Sequence, residues 1–150
     1  MKNKLMPEKL YRQVIENTVL SCVDILVIYQ DKYLIVKRKE EPAKNDWWFP
    51  GSRVLHSEKM SDAAIRTCKS EVGLEVMPKR IIGVEETIFE TGKYDKPTHS
   101  INVVYLVESY SNDVKLDNNH SEFKWLHVSK IPDYLPKYIK DFVETAFINI

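Results

Sequence analysis

The chain has 150 residues, with 22 Lys and Arg set against 22 Asp and Glu, so no overall charge directs it to nucleic acid or to an anionic membrane, and neither is expected as a partner. One domain over residues 1–150 fits this length, which is enough to bury about 70% of the unfolded surface. Cys22 and Cys68 have no C-x-x-C spacing, and no run reaches the ~20 apolar residues of a bilayer span, which together predict reduced thiols in a soluble cytoplasmic protein.

Met1–Val14 carries no apolar leader, and Pro7 followed by Leu10, Tyr11, Val14 and Ile15 predicts a short amphipathic helix with Pro7 in its first turn. Val19–Tyr29 is a β-branched apolar run, and Tyr33–Lys37 follows the turn Gln30-Asp31-Lys32, which predicts a hairpin. Asp24 interrupts the run. An unpaired carboxylate buried in a strand is costly, so Asp24 is read as directed into a cleft. Trp47-Trp48-Phe49 predicts a strand that stops at Pro50-Gly51. Ser61 is read as the cap of a helix running to Val72, with Met60, Ala64, Cys68 and Val72 inward at every fourth residue and Gly73 as the left-handed stop. Both cysteines are read as core. Ile81–Phe89, Ser100–Ser109 and Phe123–His127 read as further strands, and Pro136–Phe147 as a closing helix with Tyr138, Ile139, Phe142, Val143, Ala146 and Phe147 inward. The fold class is α+β, a mixed sheet packed between helices.

The segment from Pro50 to Leu74, PGSRVLHSEKMSDAAIRTCKSEVGL, resembles a Nudix box, whose pattern is G-x5-E-x7-R-E-U-x-E-E-x-G-U with U a bulky aliphatic residue. Glu58, Arg66, Glu71, Gly73 and Leu74 fall in register, while Ser52, Thr67, Cys68 and Ser70 replace the first glycine, a glutamate, the aliphatic residue and a second glutamate. The resemblance implies a Nudix fold and hydrolysis of a nucleoside diphosphate linked to another moiety. On a helix, positions 67, 70 and 71 share a face. Three glutamates there would gather several divalent cations, whereas Thr67, Ser70 and Glu71 offer one carboxylate, enough for one magnesium ion, or manganese in its place. Glu58 and Arg66 are read as a structural pair that fixes the loop.

The same two losses mark one branch of the family, the GDP-mannose mannosyl hydrolases, and this chain is similar to that branch well beyond the box. Val23-Asp24-Ile25-Leu26-Val27, Lys37-Arg38, Glu41-Pro42, Trp47-Trp48-Phe49-Pro50-Gly51-Ser52-Arg53, Thr98-His99 and Asn119-His120-Ser121-Glu122-Phe123-Lys124-Trp125-Leu126 follow its motifs in order. The resemblance implies that water displaces the nucleoside diphosphate at the anomeric carbon of the sugar, not at phosphorus. Such a reaction needs a general base near neutral pKa, for which His120 is the candidate. Arg38 and Arg53 would stabilise the leaving diphosphate, and Asp24 would contact or orient the sugar. The metal would be held by Glu71, the Gly51 backbone carbonyl and the Asn119 side chain. A homodimer is implied by the resemblance alone.

His99 is either a satisfied strand histidine or a contact to sugar or phosphate. Trp47 and Trp48 offer a base-stacking surface, one of them being turned into the core by strand alternation. His56 and His127 are read as outside the function. The chain departs from the branch at Ser52, at Asn119 where a glutamine is usual, and at Ser100 where a tyrosine is usual. Two other readings stand beside the first. One is a conventional pyrophosphatase attacking phosphorus, which needs a further carboxylate near Glu71, with Glu85, Glu86 and Glu90 as suppliers; the other is an inactive nucleotide-binding module.

Overall fold

A computed structural model describes residues 5–147, so the first four residues of Met1–Val14 lie outside the described part. The elements run α1 (Glu8–Asn17), β1 (Leu20–Tyr29), β2 (Lys32–Arg38), β3 (Trp47–Trp48), β4 (Gly51–Arg53), α2 (Met60–Thr67), β5 (Val76–Phe89), β6 (Thr98–Ser109), β7 (His120–His127) and α3 (Lys137–Phe147). One mixed sheet holds the strands in the order β3-β2-β1-β6-β5, with β4 added to β1 and β7 to β2. β1 and β6 are parallel, and the other pairs are antiparallel. This is the α+β class expected from the sequence, a mixed sheet packed between helices.

The central strand β1 is apolar on both faces because both faces are covered. Ile25 and Val27 join Leu34, Val36 and Val107 under Ala64, Cys68 and Val72 of the box helix. Leu26, one residue out of step, joins Tyr33, Ile35, Val104 and Leu106 under Leu135, Ile139, Val143 and Ala146 of the α3 region. Burying each of the larger aliphatics contributes ~1.5–3 kcal/mol, so two helices clamp the sheet from opposite sides. The pattern of α3 reads correctly from sequence: Ile139, Val143 and Ala146 are buried, and Tyr138, Phe142 and Phe147 pack against the same cluster.

Several expectations need correction. Ser61 does not cap its helix: Lys59 occupies the N-cap position with extended backbone, no side chain caps it, and helical geometry begins at Met60. Met60 is exposed rather than inward. The helix also does not run evenly to Val72, because after Thr67 it widens into a π turn over Cys68–Val72 that ends on Gly73 at φ 68°. That turn breaks the shared face of positions 67, 70 and 71: Thr67 is buried, while Ser70 is exposed and donates back to the Thr67 carbonyl at 3.3 Å. Cys22 is half-buried rather than core and lines a cavity. β5 starts at Val76, five residues before its apolar run, because it follows β6 through two bulges around Pro78–Arg80 and Ile81–Gly83.

Candidate active site

The α3 face of the sheet is apolar at one end only. At the other end Leu20, Cys22 and Asp24 of β1 and Thr98, Ser100 and Asn102 of β6 line a cavity of about 250 Å³, walled by Tyr11 and Ile15 of α1 and by Glu71 and Gly51 of the box. Burial pushes the Cys22 thiol up to about 12, so it lines the wall as a neutral group.

Gly51 is the hinge of this arrangement. A Cβ placed there would fall 2.1 Å from Asp24 Oδ1 and 3.0 Å from the Val23 carbonyl, so no other residue fits without displacement. Its N–H donates to Glu71 Oε2 at 3.1 Å. The Pro50 carbonyl accepts from Ile25 N–H, and Val54 N–H donates to the Ser21 carbonyl. In an extended chain alternate residues face opposite edges, so the Gly51 carbonyl is turned with its N–H toward Glu71.

Burial pushes the Glu71 carboxyl up to about 8; the Gly51 N–H and Arg38 pull it down, and the fields of Asp117 and Asp24 push it up. Burial likewise pushes Asp24 up to about 6, against the Tyr138 hydroxyl, the Trp48 indole and Arg38. Tyr138 donates to Asp24 Oδ2 at 2.6 Å. Burial, more than any neighbouring charge, makes both carboxylates costly to ionise here, a cost that a bound divalent cation would relieve. The available donors are hard oxygens: the Glu71 carboxylate, the Gly51 carbonyl and the Asn119 side chain, which also lines the cavity. They suit Mg2+. Among the described residues, no group of three or more His, Cys, Asp or Glu is placed to hold a metal. Glu85, Glu86 and Glu90 are exposed on β5 and beyond it, and the carboxylates whose fields reach Glu71 are Asp117 and Asp24 instead.

The segment leading to His120 is tied by backbone to the end of the box helix and to the residue after β2. Lys115 N–H donates to the Val72 carbonyl, Asp117 N–H to the Glu71 carbonyl, and Lys39 N–H to the Asn119 carbonyl, each at 2.9 Å. His120 opens β7 opposite Arg38 of β2, at a bulge. Its ring is buried at 5% exposure, and its Nδ1 lies 2.8 Å from Asp117 Oδ1, which also accepts the Asn119 N–H at 3.0 Å. A carboxylate at Nδ1 selects the tautomer with the proton there and leaves the Nε2 lone pair for the cavity. Asp117 is the functional candidate that the sequence reading missed. The signal available was an Asp three residues ahead of the histidine in a polar turn.

Arg38 lines the cavity and spends Nε on the Pro42 carbonyl at 2.6 Å, which leaves its terminal nitrogens for an anion. Arg53 stands one layer back, its guanidinium 5.0 Å from the Tyr11 ring, and is not among the residues lining the cavity. Trp48 lines the cavity, buried and stacked on Tyr138 at 4.8 Å. Trp47 faces Lys37, Lys124 and Tyr134 away from it. Strand alternation carries His99 away from Thr98 and Ser100 to an exposed pairing with Glu86 at 2.8 Å. His56 and His127 pair with exposed neighbours.

The remaining box residues hold the loop. Arg66 grips both oxygens of Glu58, Nε to Oε2 at 2.7 Å and Nη2 to Oε1 at 2.9 Å, and donates to the Arg53 carbonyl at 3.0 Å. Glu58 Oε1 also accepts the Leu55 N–H. The Arg66 hydrogen bonds hold the Glu58 carboxyl below its usual range. At two of the altered box positions the hydroxyls of Ser52 and Thr67 bond to each other at 2.5 Å, so the space of a glutamate is filled by a neutral pair.

Comparison with known proteins agrees with this geometry. Residues 20–146 match the NUDIX domain model. The low-salt glycan biosynthesis protein Agl8 of Haloferax volcanii is 25% identical over 121 residues, 79% of this chain and 78% of that protein. An ADP-ribose pyrophosphatase of Methanocaldococcus jannaschii is 27% identical over 138 residues, 90% and 78% of the two chains. The crystal structure of a MutT protein from Methanosarcina mazei Go1 superposes with a TM-score of 0.71 at 26% identity, covering 87% of this chain and 95% of that one. With the domain match spanning most of its length, from the first strand into the last helix, this chain belongs to the Nudix family of hydrolases.

Proposed function

We propose that this protein hydrolyses a nucleoside diphosphate sugar, GDP-mannose or a close relative, at the anomeric carbon, as the mannosyl hydrolase branch does. The observation that carries the reading is the Asp117–His120 pair, which presents a buried, oriented imidazole at the cavity beside a box wall holding one carboxylate from the box helix. Water forms the new C–O bond as the bond from the anomeric carbon to the diphosphate oxygen breaks. His120 Nε2 takes the water proton, and Asp117 steadies the imidazolium that results. The nucleoside diphosphate leaves with the bonding electrons. Arg38 receives its phosphate oxygens by hydrogen bonds, with Arg53 adding positive charge from behind Tyr11. Asp24 orients the sugar, and Trp48 forms the wall against which substrate packs. Trp47 and His99, which the sequence reading also offered as substrate contacts, are given no part.

Mg2+, or Mn2+ in its place, would be held by Glu71, the Gly51 carbonyl and Asn119, and would neutralise charge on the departing diphosphate. The likeness to Agl8, named for glycan biosynthesis, fits a nucleotide-sugar substrate. A single-domain cytoplasmic homodimer belongs to the same reading; among the described residues no helix is long and apolar enough to cross a membrane.

A second reading, attack on phosphorus, is favoured by the ADP-ribose pyrophosphatase relative and by Asp117, whose field reaches Glu71. Product analysis separates the two. Incubation of GDP-mannose with enzyme and magnesium is expected to give GDP and free mannose; GMP and mannose 1-phosphate would establish the second reading, and no turnover of any nucleotide sugar would leave a binding module.

A further inference from the structure

Three residues of the cavity lining form a closed ring of hydrogen bonds in which the direction of each bond can be assigned. Asn102 Nδ2 donates to the Glu85 carbonyl at 3.3 Å and to Thr87 Oγ1 at 3.1 Å. A carbonyl only accepts, so the Glu85 contact fixes which amide atom is the nitrogen. Asn102 Oδ1 accepts from Ser100 Oγ at 2.9 Å, which uses the one proton of Ser100. The contact of 2.8 Å between Thr87 Oγ1 and Ser100 Oγ must then be donated by Thr87. All donors are consumed inside the ring. What Thr87, Ser100 and Asn102 still offer the cavity they line is lone pairs alone.

An acceptor-only surface discriminates by chemistry. Hydroxyl groups donate to it, whereas phosphate oxygens, which bring no proton, gain nothing from these three residues; donors for an anion lie elsewhere in the lining, at Arg38, Lys93 and the Thr98 hydroxyl, unpartnered among the described residues. Two acceptor oxygens 2.8 Å apart suit the adjacent hydroxyls of a vicinal diol. Tyr11, Ile15 and Leu20 supply apolar wall nearby for the C–H face of a sugar ring. Arg38 and the Gly51–Glu71 wall lie among the other lining residues, so the two surfaces together orient a substrate that has a diphosphate and a diol.

We propose that Thr87, Ser100 and Asn102 are specificity-determining residues that receive a vicinal diol of a sugar ring. The inference rests on the nucleotide-sugar reading only for the identity of the ligand. Its test is equilibrium binding by calorimetry, with magnesium, to the full chain carrying His120→Gln, with and without Ser100→Ala. The probes are GDP-mannose, UDP-glucose and ADP-ribose, the matching nucleoside diphosphates and their 2′-deoxy forms, and inorganic pyrophosphate. Ser100→Ala is expected to weaken the tightest nucleotide sugar about tenfold and pyrophosphate less than twofold. Thr87→Val should do the same, and Thr87→Ser should retain affinity. Equal loss with the nucleoside diphosphate, absent with its 2′-deoxy form, assigns the diol to ribose; loss with the nucleotide sugar alone assigns it to the second sugar. Unchanged affinities, a parallel loss for pyrophosphate, or a parent that binds no nucleotide more tightly than pyrophosphate would overturn the proposal. Product identity is read separately, so GMP formation would overturn carbon attack without altering these ratios.

Discussion

At Glu58 the loop–helix unit buries a carboxylate, 6% exposed in its side chain, against a bidentate guanidinium and a backbone N–H. At Glu71, thirteen residues on, it buries another against one backbone N–H, and burial, followed by the fields of Asp117 and Asp24, pushes its pKa up. The first is satisfied within the fold, and its carboxyl is held low. The second has no bidentate partner, and burial pushes its carboxyl up to about 8. A buried charge that the fold leaves uncompensated is expected where a ligand completes the site. The same segment thus supplies a buckle that keeps the loop in place and a wall whose electrostatics close only with cation and substrate present.

The sharpest way to break this comparison lies on the site side. His120→Gln is expected to lower kcat by ~10²–10⁴, with substrate affinity much less affected, in steady-state and binding measurements; equal loss of both would remove His120 from the role of base. Asp117→Asn follows, because an amide at that position can no longer select the Nδ1–H tautomer. Its kcat should fall on the order of 10²-fold, with the ring still buried in an NMR or crystallographic check. Gly51→Ala forces a Cβ onto Asp24 Oδ1. It should cost about 1–3 kcal/mol of stability in denaturant unfolding, part of which returns when Asp24→Ala is added, while activity does not return.

The smallest effect belongs to the buckle. Glu58→Gln should destabilise the fold by about 1–3 kcal/mol and leave the reaction's products unchanged. Because the folded carboxyl is held below its ordinary value of 4.5, its contribution is present above that pH and is lost as pH falls through the folded value. The parent should therefore lose stability in mild acid where Glu58→Gln is flatter. An identical acid limb in both would show that the buckle carries no charge-dependent stability.

Most of the scaffold was legible because burial leaves a periodic trace. The apolar run of β1, the inward residues of α3 and the left-handed Gly73 all read directly from the chain. The π turn did not, since Cys68 and Val72 sit four apart in any regular helix and are buried in either geometry. What the turn changes is the direction of Ser70, a polar residue without a periodic signature. Of the site residues, Glu71, Gly51, Arg38, Asn119, His120, Asp24 and Trp48 meet at one cavity, while Arg53, His99 and Trp47 do not line it. His99 was open to either face because strand alternation is fixed only when register with β5 is known. Asp117 and the Thr87–Ser100–Asn102 ring went unread for a common reason. Their chemistry lies in who donates to whom, and short polar residues in turns and strands carry no spacing that encodes it.

The central claim is the atom that water attacks. Hydrolysis of the nucleotide sugar in oxygen-18 water, with products separated and weighed by mass spectrometry, reads it directly. The label is expected in the free sugar, with the nucleoside diphosphate unlabelled. Label in a phosphate of either product, with a sugar phosphate formed, would contradict the account.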